Sequence, residues 1–414
     1  MKRVLTVEFK QKTLANGLQL IGEVNPYAKS AAVGFFVKTG SRDETPDVSG
    51  VSHFLEHMMF KGTDQMDALE VNAAFDATGA QFNAFTSEEC TVYYASVLPE
   101  YLAEVTRLWT ELMRPSLRDD DFNLEKNVIK EEIAMYQDMP NFDVLDRCRS
   151  LHFESHPCGN TVLGTVESID ALTSQQMRDY FGQRYAPNNM VLVWAGNFDW
   201  DQMVALAETQ CSAWQTQDVS RTLSHAVGSL KTDRFVQPNM AREHISIMSQ
   251  GISFQDKRRH AATLLTAILG DDTCSRYYWE LVDKALAESA GMSVDMMDGT
   301  GILYSYLKCS SDHLDQVLDV VRALLTAVKQ EGVTEDELRI AKNKKLSALV
   351  IRNELPMGRL VDLGLSWVYL QTYRVIQDEI DAIKAVTVQD IQTLMDEIDP
   401  SRFTLYSIGP KDHE

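Results

Sequence analysis

Apolar and polar residues alternate on either side of Ala15-Asn16-Gly17, so residues 10 to 24 read as two strands of a hairpin joined by an Asn-Gly turn. The unbroken apolar run Ala31-Ala32-Val33-Gly34-Phe35-Phe36-Val37 predicts a buried strand. A polar loop, Thr39-Gly40-Ser41-Arg42-Asp43-Glu44-Thr45-Pro46, then leads into a helical period from about Ser49 to Phe60. A second helix is expected over Ala68–Thr78, closed by Gly79. Gln81–Ala84 and Thr91–Val97 read as paired strands. Longer helical patterns follow near 99–113, 119–138 and 141–153, then a strand at Val191–Gly196 and a helix at Asp201–Trp214.

Over 216–240 the apolar period fades and Gln, Thr, Ser, Asp and Gly dominate, which marks a linker. After it the order restarts. A strand is expected at His244–Met248, helices at Ala261–Leu269 and 275–289, and a strand at Gly301–Cys309. Helices at 311–330, 335–352 and Asp390–Ile398 and a closing strand at Phe403–Ile408 complete the second half. The two halves therefore predict a duplicated α+β unit, with domains at 1–215 and 241–414.

Composition narrows the function. With 44% apolar and 24% charged residues in 414, the chain has the profile of a folded multidomain protein. A net charge of −21 argues against a nucleic-acid partner and would draw cationic peptides. No apolar run is long enough to span a bilayer, and none follows Lys2-Arg3, so membrane insertion and export are not expected and the expected location is cytoplasmic. The six cysteines are scattered without a C-x-x-C pair and read as reduced thiols. Cys158 with His152 and His156 could suggest a second metal site, but Pro157-Cys158-Gly159 reads as a turn.

The chemistry concentrates in His53-Phe54-Leu55-Glu56-His57. Residues four apart on a helix differ by about 40° in direction, so both imidazoles can reach one ion while Glu56 approaches a water beside it. This H-x-x-E-H order is the inverted form of the commoner zinc-peptidase motif. A catalytic zinc needs a third protein ligand and an open position. The helix expected at 119–138 offers Glu125, Glu131 and Glu132. Glu125 and Glu132 share a face, Glu131 points about 100° from Glu132, and spacing alone leaves the three open.

Several stretches carry a resemblance: Leu14-Ala15-Asn16-Gly17-Leu18, Gly40-Ser41-Arg42-Asp43-Glu44, Gly50-Val51-Ser52-His53 continuing to Gly62-Thr63, Asn83-Ala84-Phe85-Thr86-Ser87-Glu88, and Glu125-Lys126-Asn127-Val128-Ile129-Lys130-Glu131-Glu132-Ile133. Together they resemble the pitrilysin/insulinase family of zinc metallopeptidases, most of all its processing-peptidase branch. The resemblance implies an α+β fold of two similar α/β-roll domains, each a mixed or antiparallel sheet with helices packed on one face, facing each other as a clamshell. It implies Zn²⁺ held by His53, His57 and Glu132, with Glu131 the close competitor for the third place and Glu56 as general base. Glu125, and Glu131 if it is not a ligand, would orient the ligands. Asn83-Ala84-Phe85 would pair with an extended peptide substrate.

The same resemblance implies endopeptidase activity on peptides or unfolded segments inside a chamber that needs a dimer, either a homodimer or a heterodimer with a related subunit. One feature departs from it. Active single-chain relatives carry a substrate-contacting Arg and Tyr in the second half, and the matching positions here are Val282 and Ser289. The alternatives are thus a catalytic half needing a partner's Arg/Tyr pair, or a non-catalytic assembly or core subunit. A purely structural zinc site would need a fourth protein ligand, which no nearby Cys or His offers.

Overall fold

The computed structural model describes residues 6–224 and 226–410. Met1–Leu5, which contain the basic pair considered above for export, lie outside them. The first half forms strands β1 (Glu8–Thr13), β2 (Gln19–Val24) and β3 (Ala31–Val37), helices α1 (Val51–Met59) and α2 (Ala68–Thr78), and strands β4 (Gln81–Thr86) and β5 (Thr91–Val97). Helices α3 (Leu102–Leu112), α4 (Asp119–Gln137), α5 (Pro140–Phe153), α6 (Val166–Ala171) and α7 (Ser174–Arg184) follow, then β6 (Met190–Gly196) and α8 (Trp200–Cys211). The second half contains β7 (Thr232–Val236), β8 (Glu243–Gln250), α9 (Arg259–Gly270), β9 (Ala287–Met296) and β10 (Gly301–Cys309). It continues with α10 (Leu314–Glu331), α11 (Glu335–Asn353), α12 (Pro356–Leu370), α13 (Ile376–Ala385), α14 (Val388–Glu397) and β11 (Phe403–Gly409).

These elements build two compact units, and the chain crosses between them more than once. Unit 1 holds the residues up to Ile133 together with Asn160–Thr222 and Val350–Arg374; unit 2 holds Ala134–Gly159, Leu223–Leu349 and the residues from Val375 onward. The passage at Thr222/Leu223 falls inside the polar stretch 216–240. The segments carrying α5 and α12, however, each belong to the unit built mainly from the other half of the sequence.

Each unit is an α+β sheet structure with mixed strand directions. In unit 1 the order is β1-β2-β6-β3-β5-β4, with β2 parallel to β6 and the remaining pairs antiparallel. In unit 2 it is β7-β11-β8-β10-β9, with β7 parallel to β11. All seven residues of β3 and of β6 are buried because both faces of the sheet are covered. Val33, Phe35, Leu192 and Trp194 pack toward α1, α2 and α3, whereas Ala32, Phe36, Val191 and Val193 pack against Leu360 and Leu363 of α12. Unit 2 repeats the arrangement. Ile245, Ile247 and Leu303 join the core with α9 and α10, while Met248, Ile302 and Ile408 meet Val144 and Cys148 of α5. In addition to the helices on one face, then, each sheet carries one exchanged helix on the other.

The structure departs from the expected elements at particular places. The helix expected over 275–289 is a short π-helical turn, Tyr278–Val282, followed by β9 from Ala287. Tyr277 and Leu281 keep a helical spacing, but Ala290 and Met292 switch to every second residue, and nine residues of β9 find ladder partners along β10. Helices α6, α7, α12 and α13 and strand β7 come from stretches with no strong expected period. β7 is a sheet edge exposed over much of its length, so it has no apolar alternation to read.

Among the described residues all six cysteines are free, and only Cys274 is exposed. No described helix is long and apolar enough to cross a membrane.

Candidate metal centre

Helix α1 is the carrier, and the sequence before it fixes how it starts. Gly50 has the left-handed φ of 89° that a glycine accepts without strain. A Cβ there would stand 2.7 Å from the Leu163 carbonyl oxygen. The first turn is capped from a distance: Glu44 accepts the Gly50 N–H at 2.7 Å and the Ser52 N–H at 2.8 Å, placing a carboxylate at the positive end of the helix. Val51, Phe54, Leu55, Met58 and Met59 are buried in the unit 1 core, so the ring-bearing face of α1 is fixed by the apolar face.

On that fixed face His53 and His57 lie one turn apart, with ring centroids 4.7 Å apart. Glu132 of α4 meets them. Its Oε2 lies 3.4 Å from His57 Nε2 and 3.8 Å from His53 Nε2, and the three donor atoms all fall within 4.8 Å of one another. Ligands of a tetrahedral ion at 2.0–2.1 Å stand roughly 3.3 Å apart, close to these separations. Glu132 Oε2 is buried without a hydrogen-bond partner, a costly condition that a cation between these atoms would relieve. The donor set of two imidazoles and a carboxylate suits Zn²⁺, and the residues therefore fit the ion.

Electrostatics prepare the same place. Burial lowers the His53 pKa, helped by the neighbouring His57, to about 4, so this ring is neutral and ready to donate a lone pair. Burial also works to lower His57, but the hydrogen-bonded Glu125 and the nearby Glu132 carboxylate outweigh it and push its pKa up to about 9. A metal ion must displace that proton, which makes binding pH-dependent. Glu125 Oε1 lies 2.8 Å from His57 Nδ1, and Lys61 Nζ is 2.5 Å from Glu125 Oε2. Burial alone would raise the Glu125 carboxyl, yet these two partners hold it below the usual range. An ionised Glu125 can only accept, so His57 carries its proton on Nδ1 and turns Nε2 toward Glu132.

The remaining predicted residues separate clearly. Glu56 sits between the two histidines on α1, and burial raises its carboxyl above the usual range. Glu131 is exposed, outside the cluster, and Glu125 turns inward to His57 Nδ1, which leaves Glu132 as the acid of this helix within reach of both Nε2 atoms. Asn83, Ala84 and Phe85 lie on β4, the end strand of the sheet, which packs against α1. His152 bonds Thr404, His156 bonds Ser224, and the group His53, His57 and Glu132 is the one metal-ligating cluster among the described residues, so the trio with Cys158 forms none. Val282 packs against the unit 2 core, and Ser289 is exposed on β9.

Two contributors escaped sequence reasoning. Thr86 donates to Glu56, and Glu44 caps α1; the second could have been suspected from an acid placed shortly before a helix that lacks its own N-cap side chain.

Comparison with known proteins places the chain in a family. Residues 20–166 match the family model described as insulinase, peptidase family M16, and residues 171–345 match the M16 inactive domain. The chain is 32% identical to an uncharacterized zinc protease of Mycobacterium leprae over 96% of this chain and 91% of that one. It is 29% identical to the uncharacterized zinc protease YmxG of Bacillus subtilis, covering 97% and 98%. Its fold matches the crystal structure of a protease from Helicobacter pylori with a TM-score of 0.89 and 22% identity, over 98% of this chain and all of that one. With both models matched along one chain, one of them over the segment that carries His53, His57 and Glu132, this protein belongs to the M16 peptidase family.

Proposed function

We propose that this chain is a zinc-dependent endopeptidase whose metal is held by His53, His57 and Glu132, with residues 1–215 as the catalytic domain and 241–414 as a related domain without metal. The reading rests on the convergence of two imidazole nitrogens and one unpartnered carboxylate oxygen from separate helices. Zinc held there supplies Lewis-acid chemistry, polarising a scissile carbonyl and acidifying a water toward a pKa of about 7. The chain's own residues do the rest. Glu125 orients His57, and the His53 ring is kept neutral by its buried setting. Glu56 takes the proton of the attacking water and hands it to the departing amine. An extended peptide would lie along the free edge of β4 at Asn83, Ala84 and Phe85, adding a strand to the sheet.

A second reading is favoured by one observation. Val282 packs, partly buried, against the unit 2 core and is apolar, so it offers neither the charge nor the hydroxyl of the expected Arg/Tyr pair, which in this reading comes from elsewhere. In that reading the chain is the catalytic half of a heterodimer, and the enclosing chamber forms only with its partner.

One preparation tests both. The purified chain is analysed for zinc, native mass and cleavage of a quenched peptide, with and without a chelator. One zinc per chain and chelator-sensitive cleavage by the lone protein support the first reading. Zinc without cleavage supports the second, and absence of zinc binding overturns both.

A further inference from the structure

The general base assigned to Glu56 needs something to aim it, since a glutamate carboxylate turns about three torsions. Glu56 Oε2 accepts a 2.6 Å hydrogen bond from Thr86 Oγ1, while Oε1 has no hydrogen-bond partner among the described residues. Thr86 is the last residue of β4, opposite Thr91 of β5, and directly follows Asn83-Ala84-Phe85. Its branched side chain has few rotamers.

The turn beyond it is pinned from several sides. The Ser87 N–H donates to the Cys90 carbonyl at 2.9 Å, and the Ser87 hydroxyl bonds the same oxygen. Across the loop, the Arg42 N–H donates to the Glu88 carbonyl at 2.8 Å, and a Cβ on Gly40 would meet the Ser87 oxygen at 2.1 Å. The buried Glu89 carboxylate pairs with Arg42 at 2.5 Å, and Arg221 donates to the Glu89 carbonyl at 2.8 Å. Thr86 is thus held still where β4 ends, with its hydroxyl directed at α1.

We infer that Thr86 is a positioning residue for Glu56: it fixes Oε2, leaves Oε1 to receive the proton, and ties the general base to the strand edge offered to substrate. The inference rests on the peptidase reading for the role of Glu56, but the bond itself can be tested without it. A hydrogen bond to a charged group that is lost without replacement lowers kcat by roughly ten- to a hundredfold.

The experiment uses the full chain as wild type, T86V, T86S, E56Q and the double variant T86V/E56Q. T86V is expected to lower kcat about ten- to a hundredfold with KM little changed and zinc content intact. T86S restores kcat to within a few fold, and T86V adds nothing in the E56Q background. A second readout needs no activity: in metal-free protein, the Glu56 carboxylate stretch, isolated as the infrared difference from E56Q, shifts in T86V and not in T86S. An unshifted band in T86V overturns the inference. So does T86S as impaired as T86V, or an effect confined to KM. Should the wild type alone cleave no peptide, its activity as a lone chain fails and the infrared comparison alone decides whether Thr86 holds Glu56.

Discussion

Units 1 and 2 share a strand order almost element for element: β2-β6-β3-β5-β4 in one corresponds to β7-β11-β8-β10-β9 in the other, and among the described residues β1 is the one strand without a counterpart. They differ in what the first helix after the leading buried strand carries. In unit 1 that helix, α1, presents His53, Glu56 and His57 beside its buried apolar side chains. In unit 2 it is α9, where nine residues from Ala261 to Gly270 are buried and the inner side chains are Ala, Leu, Ile and Thr. The same scaffold supports an ordinary core in one copy and a polar constellation in the other. The sheet therefore dictates where a helix lies, while a few side chains on one face, with an acid brought by α4, decide whether chemistry is available there.

The sharpest way to break this contrast is to remove the chemistry from unit 1 while keeping its fold. Glu56→Gln should lower kcat by roughly 10²–10⁴-fold with zinc retained, whereas His53→Ala or Glu132→Ala should lose the metal as well. Metal analysis beside the peptide assay separates the two outcomes, and a fully active E56Q would remove Glu56 from its role. Next in size is the buried support of unit 1. Arg42→Ala removes the nearest cation from Glu89, whose side chain is only 2% exposed, leaving Arg221 at 3.8 Å, and should cost about 3 kcal/mol in denaturant unfolding. A cost near zero would mean that the ion cluster is not what holds the β4–β5 turn.

Unit 2 should answer to acid instead. Burial, reinforced by Arg149, lowers the pKa of its His152 from the ordinary 6.5 to about 4. Between these values the unfolded chain binds more protons than the native one, so stability is present above pH 6.5 and is lost as pH falls toward 4. The loss amounts to about 3 kcal/mol. Melting temperature against pH, compared with His152→Gln, measures it; parallel curves would dismiss the linkage. The smallest expected effect sharpens the metal site itself. Glu125→Gln keeps a similar shape but weakens the orientation of His57, and zinc affinity should fall about 10- to 100-fold by competition titration.

Sequence pattern carried much of this, unevenly. The helix of His53 and His57, the strand Ala31–Val37 and the hairpin at Asn16-Gly17 were all legible, because their periods are long and their turn residues specific. The convergence of Glu132 was not legible from spacing, since the angle between α1 and α4 is a tertiary property; only the resemblance favoured it over Glu125 and Glu131. Thr86 was invisible for the same reason: a threonine at a strand end says nothing about the carboxylate across from it. The 275–289 segment misled because Tyr277 and Leu281 begin a helical spacing that pairing with β10 then overrides. The destination of α5 could not be read at all, because its amphipathic pattern fits either sheet.

That last helix sets a schedule for biosynthesis. α5 ends at Phe153, but the strand Phe403–Gly409, which helps to shelter Val144, Cys148 and Phe153, is made some 250 residues later. At about 5–20 residues per second, the greasy side of α5 waits on the order of 10–50 s on the ribosome before its permanent neighbours exist. A nascent chain stalled anywhere in that interval is a natural client for chaperones, and a product shortened by its final strand should precipitate rather than behave as a smaller version of the protein.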